Sequence, residues 1–208
     1  MQKFTTKALA RLSLTTGVLI AVAAVFLIIF FIGYFNQIYA LGYFGTANDV
    51  LNLTVSILTC IMAVILHPSP KRQPLLFIIF LILVVAAWVG AAIVTVDSLR
   101  MGGLMSNLTF HTLRLEYGLG FITRHDIHFG GGLVGLWIIA VNIYTFTKQF
   151  WPRSITILGI ISGALYSLGF FMEFVSFFGG IGQMVWGIWL GRWILTYKPI
   201  QQGYSSAD

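Results

Sequence analysis

Charge is what this chain has least of. Only 9% of its 208 residues are Asp, Glu, Lys or Arg, against roughly a quarter in an ordinary soluble domain, while 58% are apolar. One soluble core cannot hide so much apolar surface, so lipid is expected to be part of the solvent. Cysteine is nearly absent as well. Cys60 stands alone inside an apolar run, which excludes a disulfide framework and leaves the redox compartment undetermined. Proline interrupts no apolar run: Pro68, Pro70, Pro74, Pro152 and Pro199 all fall in connections or in the tail. Broken helices commonly mark a transporter's midplane site, and their lack counts against that class. No nucleophile constellation, phosphate loop or dense ligand motif occurs, which counts against catalysis.

What is present is a series of charge-free runs of the length a bilayer demands, on the order of 20 residues at about 1.5 Å each. Six run approximately over 12–34, 50–66, 75–96, 128–147, 154–174 and 181–195. The expected fold class is all-α, an integral membrane bundle of six transmembrane helices. It forms a single membrane domain over 1–208, with a flexible tail at 199–208. The N-terminus has the basic start of a signal peptide. Its apolar run of about 20 residues nevertheless exceeds a signal core of roughly 7 to 15, and no small-x-small cleavage pattern follows, so an uncleaved first span is expected. The connection at 98–127 is too long for a structureless loop. In it Leu104, Leu108, Leu115 and Leu119 recur at helical spacing while Asn107, His111 and Arg114 lie on another face. That pattern predicts a short amphipathic helix in the outer loop between helices three and four.

The net charge of +6 does not point to nucleic acid, because the basic residues are scattered singly and no basic face exists to carry a phosphate backbone. Their placement orients the chain instead. Nine of the 12 Lys and Arg, from Lys3, Lys7 and Arg11 through Lys71, Arg72, Lys148 and Arg153 to Arg192 and Lys198, share one side, and Arg100, Arg114 and Arg124 take the other. By the positive-inside rule both termini are cytoplasmic, in a plasma (bacterial inner) membrane.

The acids and histidines then collect at the outer ends of the helices. The candidate polar site comprises His125, Asp126, His128, Glu173, Asp97 and Asp49. His125 and His128 are three apart, so a helix puts both imidazoles on one face and offers two metal ligands, with His111 or an acid to complete the set. The alternative is that Asp126 caps helix four among headgroup-facing neighbours. Glu173, within "FFMEFVSFF", is expected about 20 residues into helix five, where an acid must snorkel, protonate or find a partner. Gln183 is expected near the outer start of helix six. Asn52 and Asn142 read as polar groups bonding between helices. After "RHDIH" comes "FGGG": either these glycines are helical and admit a neighbour, or the chain dips unwound and exposes amides to an anion. A metal ion is the one cofactor the site would suit; none other is predicted.

Glycine is unevenly spread, with 5 of 22 before residue 98. Gly131 with Gly135, Gly159 with Gly163, and Gly187 with Gly191 form small-xxx-small pairs in helices four, five and six. They predict a tight C-terminal three-helix unit.

The stretch "GYFGTANDVLNLTVSILTCIMAVILHPSPKR", residues 42–72, and the closing "MVWGIWLGRWIL", residues 184–195, resemble a set of bacterial multi-pass membrane proteins of no known activity. In that set an F-G-x-x-N-D-like turn opens a helix and the last helix ends in W-L-G-R. The resemblance implies the six-span layout and draws attention to Phe44, Gly45, Asn48 and Asp49. The expected function is a non-enzymatic subunit or a small-molecule or lipid-binding protein. Its partners would be membrane lipids and either a second copy or a membrane complex. The alternatives are an integral-membrane enzyme with a His/Asp/Glu or metal site on the outer face, and a small transporter or channel.

Overall fold

Runs rich in Leu, Ile and Ala and free of proline can satisfy their backbone N–H groups along their own length, and the chain folds accordingly into helices. A computed structural model describes residues 3–36, 38–66, 74–83 and 125–196, together with 85, 86, 88, 89 and 92. Within these, the side chains of residues 3–6 and 125–131, and of Tyr34, Tyr39, Thr46, Asp49, Glu173 and Phe174, lie outside the description. Every regular element among the described residues is helical. Helix α1 is Lys3–Asn36, and a 3-10 turn at Tyr39–Gly42 leads into α2, Tyr43–Ile65. A shorter α3 covers Pro74–Leu83. Then come α4, His125–Thr147, α5, Arg153–Leu168, and α6, Glu173–Thr196. The amphipathic helix expected around 104–119 falls outside the described residues.

Two segments, Lys7–Gly33 and Ala40–Ile65, are long and apolar enough to cross a membrane by length and composition. The described apolar parts of three others are shorter, at Pro74–Leu83, Gly132–Thr147 and Arg153–Leu168. Helix α6 has 24 residues but fills much of its length with glycine, tryptophan, Gln183 and Arg192 rather than aliphatic side chains.

The largest departure from the expected layout is at the last two helices. The run expected over 154–174 stops at Leu168, and the helix expected from 181 begins at Glu173. Between them the N–H groups of Gly169, Phe170 and Phe171 bond three residues back, to Tyr166, Ser167 and Leu168. Gly169 sits so close to the next helix that a Cβ on it would lie 2.6 Å from Ser176 Cβ. A hairpin made only of small and apolar residues carries no proline or polar punctuation, and periodicity reads straight through it.

The turn from α4 to α5 is better marked. Gln149 adopts φ 53°, the left-handed conformation that commonly ends a helix. Its N–H bonds to Phe146 O at 3.2 Å and that of Phe150 to Thr145 O at 3.0 Å, the paired bonds of a Schellman motif. The accompanying apolar contact is Tyr144 against Phe150, edge-on with ring centroids 5.9 Å apart. Pro152 then opens α5, and Thr156 Oγ1 donates back to Pro152 O at 2.9 Å.

Close approaches fix how the helices pair. Phe26 meets Phe44 and Thr16 lies by Met62 (α1–α2). Ser13 Oγ donates to Gly187 O at 2.9 Å (α1–α6), and Ser162 Oγ donates to Gly179 O at 2.9 Å (α5–α6). A Cβ on Gly135 would lie 2.7 Å from Gly163 O (α4–α5). Taken with their neighbours, such as Gly191 against Ala10 and Gly159 against Asn142, these pairs are antiparallel. Helices α2, α4 and α6 therefore start at one end of the bundle, and α1 and α5 start at the other. Leu9, Met62, Phe80, Trp137, Ile155 and Trp186 join in one core to which all six helices contribute. Helix α3 enters it through Phe80, whose ring meets Tyr144 edge-on at 5.5 Å.

The glycine pairs divide between two interfaces. Gly135, Gly159 and Gly163 bring α4 and α5 together, whereas Gly187 and Gly191 pack on Ser13, Gly17, Ala10 and Leu14 of α1. The last helix is thus closed against the first, and the close packing is not confined to the C-terminal three helices. The surroundings of Gly131 lie outside the described residues.

Candidate functional site

Asp49 lies in the second turn of α2, His125, Asp126 and His128 open α4, and Glu173 opens α6. Since these three helices start together, their backbones carry all five residues to one end of the bundle. Glu173 begins a helix rather than approaching the end of one, which places its backbone at the positive end of the helix dipole. The same holds for Asp126. The five side chains, and Asp97 and His111 altogether, lie outside the described residues. Among the described residues no three of His, Cys, Asp and Glu come together as a metal-ligand set. At the opposite end Lys7, Arg11, Lys148, Arg153 and Arg192 are all exposed.

The "FGGG" stretch is helical. Helix α4 runs unbroken from His125 through Gly130, Gly131 and Gly132, so amides beyond its first turn bond within the helix rather than facing an anion. Gly132 makes room for a side chain: a Cβ on it would overlap the ring of Phe170, which comes from the α5–α6 hairpin. Ser167 Oγ reaches Gly132 O at 3.4 Å from the same side.

A second polar group, left unassembled by the sequence, is buried inside the bundle. Asn142 is fully buried. Its Nδ2 donates to Ile138 O at 2.8 Å, and its Oδ1 accepts from Trp186 Nε1 at 3.1 Å. Gly159 lies directly against that amide, where a Cβ would collide with it. Next to this pair α1, α2, α4 and α6 leave a narrow crevice, too tight in this structure to hold a water. Its walls include Ser13, Thr16, Thr59, Trp137, Gln183 and Trp186, each no more than 3% exposed. Trp137 is one of these walls, and its Nε1 is buried with no hydrogen-bond partner among the described residues.

None of the residues lining this crevice ionises near neutral pH. An ion placed there without a counter-charge would lose its hydration at a cost of several kcal/mol. The lining therefore suits a neutral hydrogen-bonding group and performs no acid–base chemistry. Two signals for it exist in the sequence. Ser13 and Thr16 are three apart and share a helix face, and Gln183 is isolated in an apolar run. Starting helix six at Ile181 made Gln183 a headgroup residue. Starting it at Glu173 makes Gln183 its eleventh residue and buries it.

Comparison of the chain with protein-family models, with curated protein sequences and with solved structures finds no match.

Proposed function

We propose that this is a multi-pass membrane protein of six crossings, acting as a non-enzymatic subunit or as a binder of a small molecule or lipid. Its basic end faces the cytoplasm and its Asp/His/Glu end faces out. One observation carries the membrane reading: a broad exposed apolar belt lies between two polar ends. Val18, Val25, Ile28 and Ile32 of α1, Ile57 and Val64 of α2, and Val185 and Trp189 of α6 are all exposed. Only 22% of the most apolar part of Lys7–Gly33 is buried, whereas the core helix of a soluble protein buries most of such a stretch. Apolar surface on this scale is not maintained in water by a soluble monomer.

Helix lengths are compatible with the reading. At 1.5 Å per residue α4 and α6 reach about 35 Å and α5 about 24 Å, against a hydrocarbon core of about 30 Å. Helix α5 crosses if its apolar hairpin sits just inside the boundary, where the three-residue hydrogen bonds of Gly169–Phe171 keep the backbone satisfied. The basic end supports the cytoplasmic assignment of both termini.

Alkaline carbonate extraction and cysteine accessibility test this. The protein should stay in the membrane pellet. In a Cys60→Ser background, Ser106→Cys should react with an impermeant thiol reagent from outside, and Lys71→Cys only after lysis. Release by carbonate refutes the membrane reading, and the reverse labelling pattern refutes the orientation. The convergence of Asp49, His125, Asp126, His128 and Glu173 supports a second reading, an enzyme or metal protein at the outer end. Elemental analysis in mild detergent decides between them: a stoichiometric transition metal lost in His125→Ala/His128→Ala replaces the binder reading.

A further inference from the structure

We propose that the mid-bundle crevice is a binding site for a neutral oxygen acceptor, a water or the carbonyl of an apolar molecule entering from the lipid, with the Trp137 indole N–H as its principal donor. Indole offers one N–H and no acceptor. Buried in apolar surroundings without a partner, that N–H loses the hydrogen bond it makes in water and gains nothing in return, so burial of this kind calls for an occupant. The same crevice is lined by the side-chain amide of Gln183, both donor and acceptor, and by the hydroxyl of Thr59, while Thr16 Oγ1 gives its proton to Met62 Sδ at 3.9 Å and keeps its lone pairs. Ser13 has committed its proton to Gly187 O, and its remaining lone pairs accept. An oxygen with two lone pairs is the complement to this set. A carboxylate or phosphate is disfavoured, because no cationic group lines the crevice.

As it stands the crevice is nowhere wide enough for a water, so an occupant enters by displacing flexible walls. Met62 supplies one: it lines the crevice with an unbranched thioether whose several rotamers let it repack, and its sulfur takes a 3.9 Å contact from Thr16 Oγ1. The inference rests on the packing of α1, α2, α4 and α6. It is independent of the outer polar cluster and of orientation; the route from the lipid rests on the membrane reading, whose failure would appear in carbonate extraction and labelling rather than in the measurement below.

The test is the indole N–H resonance of Trp137 in full-length protein labelled with ¹⁵N-tryptophan in detergent, assigned by its disappearance in Trp137→Phe. Cyclohexanone is titrated against cyclohexane, a ring of similar shape without the acceptor. Saturable movement of the Trp137 resonance with cyclohexanone alone, weakened about fivefold to tenfold in Gln183→Leu, establishes a carbonyl site. Cross-relaxation of the untreated resonance with a long-lived water, lost in Gln183→Leu, establishes water as the occupant. A resonance that shows neither response overturns the proposal and leaves the crevice as dry packing. If Trp137→Phe does not fold, single Trp→Phe variants at Trp88, Trp151, Trp186, Trp189 and Trp193 assign the other five resonances and leave that of Trp137, and the Gln183→Leu comparison still decides.

Discussion

Trp186 Nε1 donates to Asn142 Oδ1 at 3.1 Å, joining the middle of α6 to the last two turns of α4 where both residues are buried. Asn142 Nδ2 is occupied by Ile138 O, so both halves of the amide are used and its orientation is determined. Trp186 also packs against Trp151 at 6.1 Å between ring centroids, which ties the α4–α5 turn to the same point.

Asn142→Ala removes the acceptor and strands the indole N–H, and should lower stability in mild detergent by about 1–3 kcal/mol. Trp186→Phe loses ring volume against Trp151 as well as the donor, so its own cost does not isolate the bond. The double-mutant cycle does, and the coupling should fall near 0.5–1.5 kcal/mol, roughly the net worth of one neutral hydrogen bond. Strictly additive losses, read from thermal unfolding, would remove the bond from any role in holding α4 to α6.

Neighbouring glycines in α6 should respond with opposite signs. A Cβ on Gly179 would lie 2.6 Å from Tyr166 N, a backbone atom, whereas the nearest atom to a Cβ on Gly180 is Tyr166 Cε2 at 3.8 Å, ordinary contact. Gly179→Ala must push α5 away and should cost about 1–3 kcal/mol. Gly180→Ala meets no obstacle and gains helix propensity of up to about 1 kcal/mol. Equal melting temperatures for the two variants would contradict the α5–α6 packing described here.

Gln149 supplies a similar contrast in a turn. At φ 53° a side chain with a Cβ is strained by about 1–2 kcal/mol, and glycine is not. Gln149→Gly should be stabilising or neutral, since the relief is partly offset by the greater freedom of glycine in the unfolded chain. Gln149→Val, β-branched at positive φ, should destabilise by about 1–3 kcal/mol. Because Phe150 packs on Tyr144 through this turn, the Val variant should also loosen the junction of α4 and α5, visible as faster proteolysis there.

The helical class was legible from the composition and the proline-free runs, because an apolar run of that length has few other ways to satisfy its backbone. The α5–α6 boundary was not, since "SLGFFMEF" turns on Gly169 and on local hydrogen bonds instead of on polar turn residues. That single boundary decided how Glu173 and Gln183 were read: the first moved from the end of a helix to the start of one, the second from a helix start to the buried interior. The glycine pairs announced close approach without naming the partner. A small-xxx-small pair says only that some backbone comes near, so the alliance of Gly187 and Gly191 with α1 could be seen only in three dimensions. The crevice left only fragments in the sequence, the shared face of Ser13 and Thr16 and the isolated Gln183, because its walls come from four helices and meet only in three dimensions.

The α1–α6 contact predicts how substitutions combine. A Cβ on Gly17 would lie 2.8 Å from Ile188 N and from Met184 O, and one on Gly187 would lie 2.9 Å from Ser13 O and 3.3 Å from Gly17 Cα. Both positions therefore guard the same approach of two backbones, and neither neighbour can yield by turning a side chain. Gly17→Ala and Gly187→Ala should each destabilise by about 1–3 kcal/mol. Once α1 and α6 have separated to admit the first methyl, the second needs less further movement, so the double variant should lose less than the sum of the two. Ser13→Ala adds a second check, because separation also breaks the Ser13–Gly187 hydrogen bond: its cost in the wild-type background, about 0.5–1.5 kcal/mol, should shrink when Gly17→Ala is already present. Full additivity among the three, measured by unfolding in detergent, would mean that α1 and α6 do not meet along this face.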